Sequence, residues 1–333
     1  MNISYVLKRA KKMDYGAMYR TAKMLTKKSG KNRFWLMADM VRCALHYNAG
    51  YVDYKIAEMY RLNDRQRRTQ ITRGISNSIV SRMNDKKFWH FFDNKDEFNQ
   101  LFSKQVGRKW LSLRKASEEQ FAEFVKGRTE LFCKPLDGSS GQGIIKCTEK
   151  DFEDPAALYA RLKENNIGIV EECVRQHEAM ARLCPTSVNT IRVATLLGDK
   201  KEGIVYAYIR IGNGKVMDNV DCGGMAAPID LETGRISGPG ANKAGEVFEI
   251  HPMTKQRIPG TQIPFWNEVK EMCLQAMRVV PQVRYVAWDV AITENGPIFI
   301  EGNSFPSHAI PQFAAHFPDG IGILPRFEEF IDL

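Results

Sequence analysis

Residues 1–109 carry no strand signal, whereas from Trp110 onward short β-rich runs alternate with helical patterns; this one-sided distribution limits the fold more than any other feature. Before the boundary, Phe34, Met37, Val41 and Leu45 recur at i, i+3, i+7 and i+11, the spacing of a helix that Asn48-Ala-Gly50 ends. Leu62, Ile71, Ile75 and Ile79 repeat that style around the charges of Asp64-Arg-Gln-Arg-Arg68. Beyond the boundary, strands are predicted at 110–113, 131–135, 144–147, 168–172, 190–197, 204–211, 285–293 and 297–303. Helices fit between them: one opened by the capping box Ser117-Glu-Glu-Gln120, then 154–165, 266–279 and 322–331. This order predicts an α+β architecture with largely antiparallel sheets, not a doubly wound βαβ fold.

Charge divides the chain at nearly the same place. Residues 1–90 hold 20 Lys+Arg against 6 Asp+Glu and the rest hold 28 against 33, so the net +9 is a +14 piece joined to a −5 piece. With 44% hydrophobic and 26% charged residues the composition is globular, which excludes disorder and collagen. The longest uncharged stretch, Gly302 to Pro318, falls short of the roughly 20 apolar residues of a membrane span and is broken by prolines. In MNISYVLKRAKKM the apolar residues precede the basic ones, the reverse of a secretory signal, so a cytoplasmic location is expected. Seven cysteines without C-x-x-C spacing suggest reduced, buried thiols, not disulfides or zinc.

Two segments carry chemistry. Leu131-Phe-Cys-Lys-Pro-Leu-Asp-Gly-Ser-Ser-Gly-Gln-Gly-Ile-Ile-Lys146 reads as strand, glycine-rich loop, strand. Such a loop puts no helix N-terminus on a phosphate. Consecutive backbone N–H groups around Gly138, Ser139, Ser140, Gly141 and Gly143 can cradle one instead, with Lys134 as a fixed cation nearby. The spacing matches neither the P-loop nor the dinucleotide fingerprint, and a flexible hairpin with a surface lysine also fits these residues.

The second segment, Val286 to Asn303, is a hairpin around Glu294-Asn295-Gly296. A two-residue Asn-Gly turn would pair Asp289 with Gly302 and leave Asp289 and Glu301 on opposite faces. A three-residue loop with Gly296 left-handed pairs Asp289 with Glu301, and this register is the expected one. Two facing carboxylates on an apolar face, with Asn303 two residues on, repel unless a divalent cation lies between them; hard oxygen donors beside nucleotide phosphates suit Mg²⁺. The plainer reading is a solvent-facing strand with ordinary charges, against which the apolar neighbours weigh.

In order, spacing and residue type, KPLDGSSGQG, IVEECVRQHE and WDVAI followed by IFIEGN resemble the ATP-grasp superfamily of carboxylate-amine ligases over residues 95–305. TSVNTIRVATLL, YIRIGNG, DNVDCGG and EGNSFP are most similar to its sugar-transfer-associated members. The resemblance implies two α+β lobes clasping ATP, 91–175 with the glycine-rich loop and 176–333 with the metal and substrate site; the basic helical region at 1–90 lies outside it and reads as a substrate-docking or surface-attachment module. It implies that Gly138 to Gly143 close over the phosphates while Lys134 and Lys95 touch them, although Asn94 stands where D-alanine-D-alanine ligase has an Asp. It further implies that the strand through Glu171 and Glu172 to Val174 reads the adenine edge with its backbone and that Glu178 grips the ribose hydroxyls. Without the resemblance, Glu178 reads as a residue on a solvated helix start.

Arg192 and Arg210 lie in otherwise apolar strands, where a guanidinium must meet an anion. The resemblance has them face the γ-phosphate and the acyl phosphate or carboxylate substrate, with Asn219 and Gly223-Gly224 resembling the family's Asn and Gly-Gly element; salt bridges on an outward strand face are the alternative. It assigns Asp289, Glu301 and Asn303 to Mg²⁺, or Mn²⁺ in its place. The implied reaction is phosphoryl transfer from ATP to a carboxylate, then attack by an amine on the acyl phosphate. The acid would be a sugar acid or amino acid, the amine an amino acid, a small amine or an amino sugar, in polysaccharide or sugar-conjugate synthesis. Ala287 departs from D-alanine-D-alanine ligase, which has an arginine two residues before its metal-binding Asp, so that oxyanion stabiliser does not carry over. His251 and His308 are candidate acceptor-site bases. Three competing readings stand beside ligation. The same apparatus can serve a kinase acting on a hydroxyl. The +14 region can bind nucleic acid, which no reader motif supports. Ile3, Tyr5, Val6 and Leu7 ahead of the basic residues at 8–12 can attach the chain to the inner membrane face.

Overall fold

The computed structural model describes residues 14–136, 143–214, 218, 220 and 223–333. Its N-terminal part is helical, and the helices Tyr15–Ser29 and Arg33–Tyr47 have the ends their residues dictate. Asp14 and Asn32 cap the N-termini through their side chains, and left-handed Gly30 and Asn48 stop them. Both helices pack with Tyr54, Met59 and Tyr60 in a core of their own. Of the expected stripe only Met37 packs against that core; Phe34, Val41 and Leu45 stay exposed, and the helix buries Leu36, Met40, Cys43 and Tyr47 instead. Spacing reveals the helix; which of two apolar faces is covered depends on what packs against it.

Two antiparallel sheets follow. β1 (Trp110–Ser112), β2 (Glu130–Pro135), β3 (Ile145–Thr148) and β4 (Ile167–Glu172) form the first, ordered β1-β4-β2-β3, with the helices Glu118–Val125 and Pro155–Glu164 packed on it. The expected capping box opens Glu118–Val125, Ser117 and Gln120 exchanging hydrogen bonds. The second sheet contains β5 (Ile191–Leu197), β6 (Glu202–Ile211), β7 (Met225–Pro228), β8 (Gly240–Ala241), β9 (Val247–Phe248), β10 (Tyr285–Thr293) and β11 (Gly296–Asn303). Its order is β11-β10-β5-β6-β7-β8-β9. The α+β expectation holds, and every expected strand forms. The sequence pattern misses β7, β8 and β9, which are too short or too poor in β-branched residues to show alternation.

One face of the larger sheet buries Trp288 and Phe299 beneath Phe92, Phe98, Phe102 and the helix Trp266–Ala276. The other face meets the helix Arg73–Met83 and the C-terminal segment through Ile79, Met83, Phe313 and Phe327. Buried polar contacts fasten the N-terminal helices to the chain after β11. His308 Nε2 lies 2.7 Å from Asp53 Oδ1, Asn84 Nδ2 donates to Ser304 O at 2.6 Å, and Gln70 Nε2 to Gly320 O at 3.0 Å. The described cysteines are free thiols, buried apart from half-buried Cys173. Among the described residues no helix is long and apolar enough to cross a membrane.

Candidate active site

Residues paired directly across antiparallel strands point to the same face. One row runs Glu301, Asp289, Arg192, Tyr208, Pro228 across five strands of the larger sheet. Beside it lie Asn303, Ala287, Ala194 and Tyr206, and on its other side Arg210 pairs with Ala226 and with the backbone of Thr190. The intervening Ile191, Val193, Ile209, Trp288 and Val290 fill the opposite core. Period-two alternation thus collects the residues singled out in four separate stretches of sequence onto one surface.

The expected pairing of Asp289 with Glu301 is present, but it arises by another route. Thr293 pairs with Gly296 across a two-residue turn, Glu294-Asn295, not the expected three-residue loop, and a bulge at Ile300 brings Glu301 opposite Asp289. Arg108 takes the carbonyls at the bulge, Nη1 donating to Phe299 O at 2.6 Å and Nη2 reaching Ile300 O at 3.4 Å. No local sequence signal marks the bulge or Arg108.

Arg192 holds Asp289 in a fork, Nε to Oδ1 and Nη2 to Oδ2 at 2.5 Å each, and Arg210 Nη2 adds a bond to Oδ2 at 2.7 Å. Burial would raise the Asp289 carboxyl, but the two guanidiniums outweigh it and hold it at about 2. The neutralisation expected of a cation between two carboxylates is therefore already supplied by arginines. Neither arginine lies on an outward face; Arg192 is 7% exposed. Arg210 also donates to Thr190 Oγ1, at 2.9 Å from Nε and 2.7 Å from Nη2, and Asp218 Oδ2 accepts from Thr190 N and its hydroxyl and lies 3.5 Å from Arg210 Nε. Asp218 and Thr190 escape a motif reading, although an acid in the loop after an arginine-bearing strand is a usable signal. The Tyr208 hydroxyl, in the same row, has no hydrogen-bond partner among the described residues.

The donor set fits a hard cation. Asp289 Oδ1 accepts from Arg192, the neighbouring Glu301 side chain is 46% exposed, and Asn303 donates Nδ2 to Ala287 O at 3.2 Å, which leaves its oxygen to bind. No cluster of three or more His, Cys, Asp or Glu suited to a metal occurs among the described residues. Two carboxylates and one amide oxygen are the kind of hard oxygen donors that Mg²⁺ would take.

On the smaller sheet, Lys134 at the end of β2 donates to Glu171 Oε2 at 2.5 Å, while Asn99 and Arg108 reach Glu171 Oε1 at 2.8 and 3.1 Å. Arg108 thereby joins the smaller sheet to the bulge of β11. Lys95 Nζ lies 3.1 Å from Leu136 O, where the described chain stops before the glycine-rich loop. Gly143 resumes it at φ +74°, where a Cβ would meet Pro135 at 2.9 Å, so only glycine fits. Gly138, Ser139, Ser140, Gly141 and Asn219 lie outside the described residues.

Glu172 accepts from Lys109 N at 2.9 Å and from Arg128 at 3.2 Å, and Val174 lies in the link between β4 and the short helix Glu178–Ala181. Glu178 is exposed and ion-paired with Arg182 at 2.7 Å. The two histidines have structural partners: His251 is fully buried with Nε2 2.8 Å from Gly212 O, and His308 is taken by Asp53.

Two antiparallel sheets, one bearing this arginine-carboxylate face and the other Lys134 ahead of a glycine-rich stretch of sequence, agree with the α+β ATP-grasp fold. The model of the sugar-transfer associated ATP-grasp family matches residues 154–330, more than half of the chain, and the chain belongs to that family. Similar solved structures include the D-alanine-D-alanine ligase from Coxiella burnetii, at 13% identity and TM-score 0.39, covering 72% of this chain and 59% of that one. The D-alanine-D-alanine ligase from Bacillus anthracis has 13% identity and TM-score 0.43 over 77% of this chain and 73% of that one. D-cycloserine synthetase DcsG has 11% identity and TM-score 0.44 over 84% and 82%. The chain thus spans less than two thirds of the Coxiella burnetii ligase. No curated protein matches it in sequence.

Proposed function

We propose that the protein is an ATP- and Mg²⁺-dependent, ADP-forming ligase that joins a carboxylate to an amine through an acyl phosphate. The observation that carries this reading is the convergence of Arg192 and Arg210 on Asp289, with Glu301 beside it on the same face. Phosphoryl transfer to an anion is mainly charge neutralisation and positioning, and this surface offers both signs of charge within a few ångströms.

In this reading 91–175 and 176–333 are the lobes that clasp ATP. Asp289, Glu301 and Asn303 would hold Mg²⁺ or Mn²⁺, which when bound would neutralise phosphate charge. Lys134 and Lys95 meet the α- and β-phosphates under Gly138, Ser139, Ser140, Gly141 and Gly143. The backbone from Glu171 and Glu172 to Val174 reads adenine, and Glu178 turns from Arg182 to the ribose. As a substrate carboxylate and the γ-phosphate enter, Arg192 and Arg210 move part of their hydrogen bonding from Asp289 to the developing anion, and the family resemblance adds Asn219 to that role. The substrate oxygen bonds to the γ-phosphorus as the bond to ADP breaks. The amine nitrogen then attacks the acyl carbon, phosphate leaves, and the amine loses a proton to water. Membership in a family associated with sugar transfer favours a sugar acid or amino sugar as one partner.

The test is ADP release across pairs of carboxylates and amines, with products identified by mass and Asp289→Asn as control. An amide with ADP and phosphate is expected, with turnover lowered at least about a hundredfold in the variant. Undiminished turnover in Asp289→Asn rejects the metal assignment, and a stable phosphorylated hydroxyl makes the protein a kinase.

A further inference from the structure

The helix Arg33–Tyr47 is apolar on two sides. At about 100° per residue, Phe34, Val41 and Leu45 fall on one line, opposite the line of Leu36, Met40, Cys43 and Tyr47 that enters the core. Phe34 is 64% and Trp35 45% exposed, and Tyr19 of the preceding helix is exposed beside them. Scattered exposed apolar side chains are ordinary, but a continuous row on the far side of a packed helix is not. Cations interleave with these rings: Lys31 Nζ stands 4.0 Å from the Trp35 ring centre, and Arg33 lies 5.0 Å from that of Phe34 and 5.6 Å from that of Tyr19. The surrounding charge is predominantly positive. Arg20, Lys23, Lys27, Lys28, Arg33 and Arg42 are exposed; Arg20, Lys28 and Arg42 are ion-paired with Asp14, Glu58 and Asp64, and Asp39 is buried against Arg67.

We propose that this face docks on an anionic lipid surface, seating Phe34, Trp35, Val41 and Leu45 at the boundary of headgroups and acyl chains while the basic residues meet lipid phosphates. Interleaved aromatic and basic side chains are what such a boundary accepts, apolar row inward and cations at phosphate level. Charge complementarity selects this occupant. A second copy would set two like-charged faces together, and a nucleic-acid duplex offers phosphate but nothing for the apolar row. The chain ahead of residue 14 adds Lys8, Arg9, Lys11 and Lys12 and no acid. The proposal does not depend on the ligase reading.

The full-length protein is sedimented with vesicles of phosphatidylcholine alone and of phosphatidylcholine mixed with phosphatidylglycerol, at low and high salt. Binding is expected on the anionic vesicles and is lost at high salt. Lys23→Glu and Lys27→Glu should each weaken it about fivefold. Phe34→Ser combined with Trp35→Ser should weaken it about tenfold or more. Val41→Ser with Leu45→Ser is a second, independent apolar pair, and unshifted melting shows that each variant is folded. No binding, equal binding to neutral vesicles, or charge-reversal loss with no effect of either apolar pair would overturn the proposal. So would a wild-type dimer that the apolar pairs convert to monomer.

Discussion

Glu171 lies on the strand that the family resemblance assigns to adenine, and its carboxylate is bound by Arg108, Lys134 and Asn99. Burial would raise that carboxyl, yet Arg108 and Lys134 outweigh burial and hold it well below the usual range. A group depressed in the folded state contributes stability above its unfolded value and loses it as pH falls toward the folded one. Glu171→Gln is therefore expected to cost about 3 kcal/mol near neutral pH, since it leaves two buried cations short of a partner. Urea titrations of both proteins should show the gap narrowing as pH falls through about 4. At this scale the sequence is informative about residue type: an arginine inside an apolar strand announces a buried anion. It is silent about which anion, because Arg192 and Asp289 are neighbours only across a sheet.

Elements were legible where alternation is strong. In Thr190-Ile-Arg192-Val-Ala194 and Ala287-Trp-Asp289-Val-Ala291 each polar or small residue alternates with a core residue, so strand and face both follow from the pattern. The turn of the β10–β11 hairpin differs from the three-residue loop its sequence predicts, because an extra residue at Ile300 shifts register without any local propensity to mark it. Beyond the bulge the packing is close. Gly302 pairs with Trp288, and a Cβ there would approach Phe92 and Phe98 to 2.9 Å. Gly302→Ala is expected to destabilise by about 2 kcal/mol, visible as a lower melting temperature, by forcing those rings apart.

For the whole molecule, the basic helical region looked like an appendage by charge, yet it is fastened to the chain that follows the proposed metal strand. Asp53 bonds His308 and also accepts the backbone N–H groups of Gly50 and Arg73. Breaking that buried pair from either side, with Asp53→Asn or His308→Gln, is expected to cost about 3 kcal/mol. The double variant should cost much less than the sum, and a double-mutant cycle by denaturant titration reads the coupling; additive losses would show that the pair does not act as a unit.

What the sequence determined by itself is what acts over a few residues: helix ends set by Asp14, Gly30, Asn32 and Asn48, strands set by alternation, and the family carried by motifs in order. Tertiary structure decided which apolar face of Arg33–Tyr47 is covered and which cations neutralise Asp289. Partners 97 and 255 residues apart, as for Arg192 with Asp289 and Asp53 with His308, meet only after the sheets and helices have packed. Short-range patterns therefore encode the elements, while the charge pairing of the site is a property of their assembly.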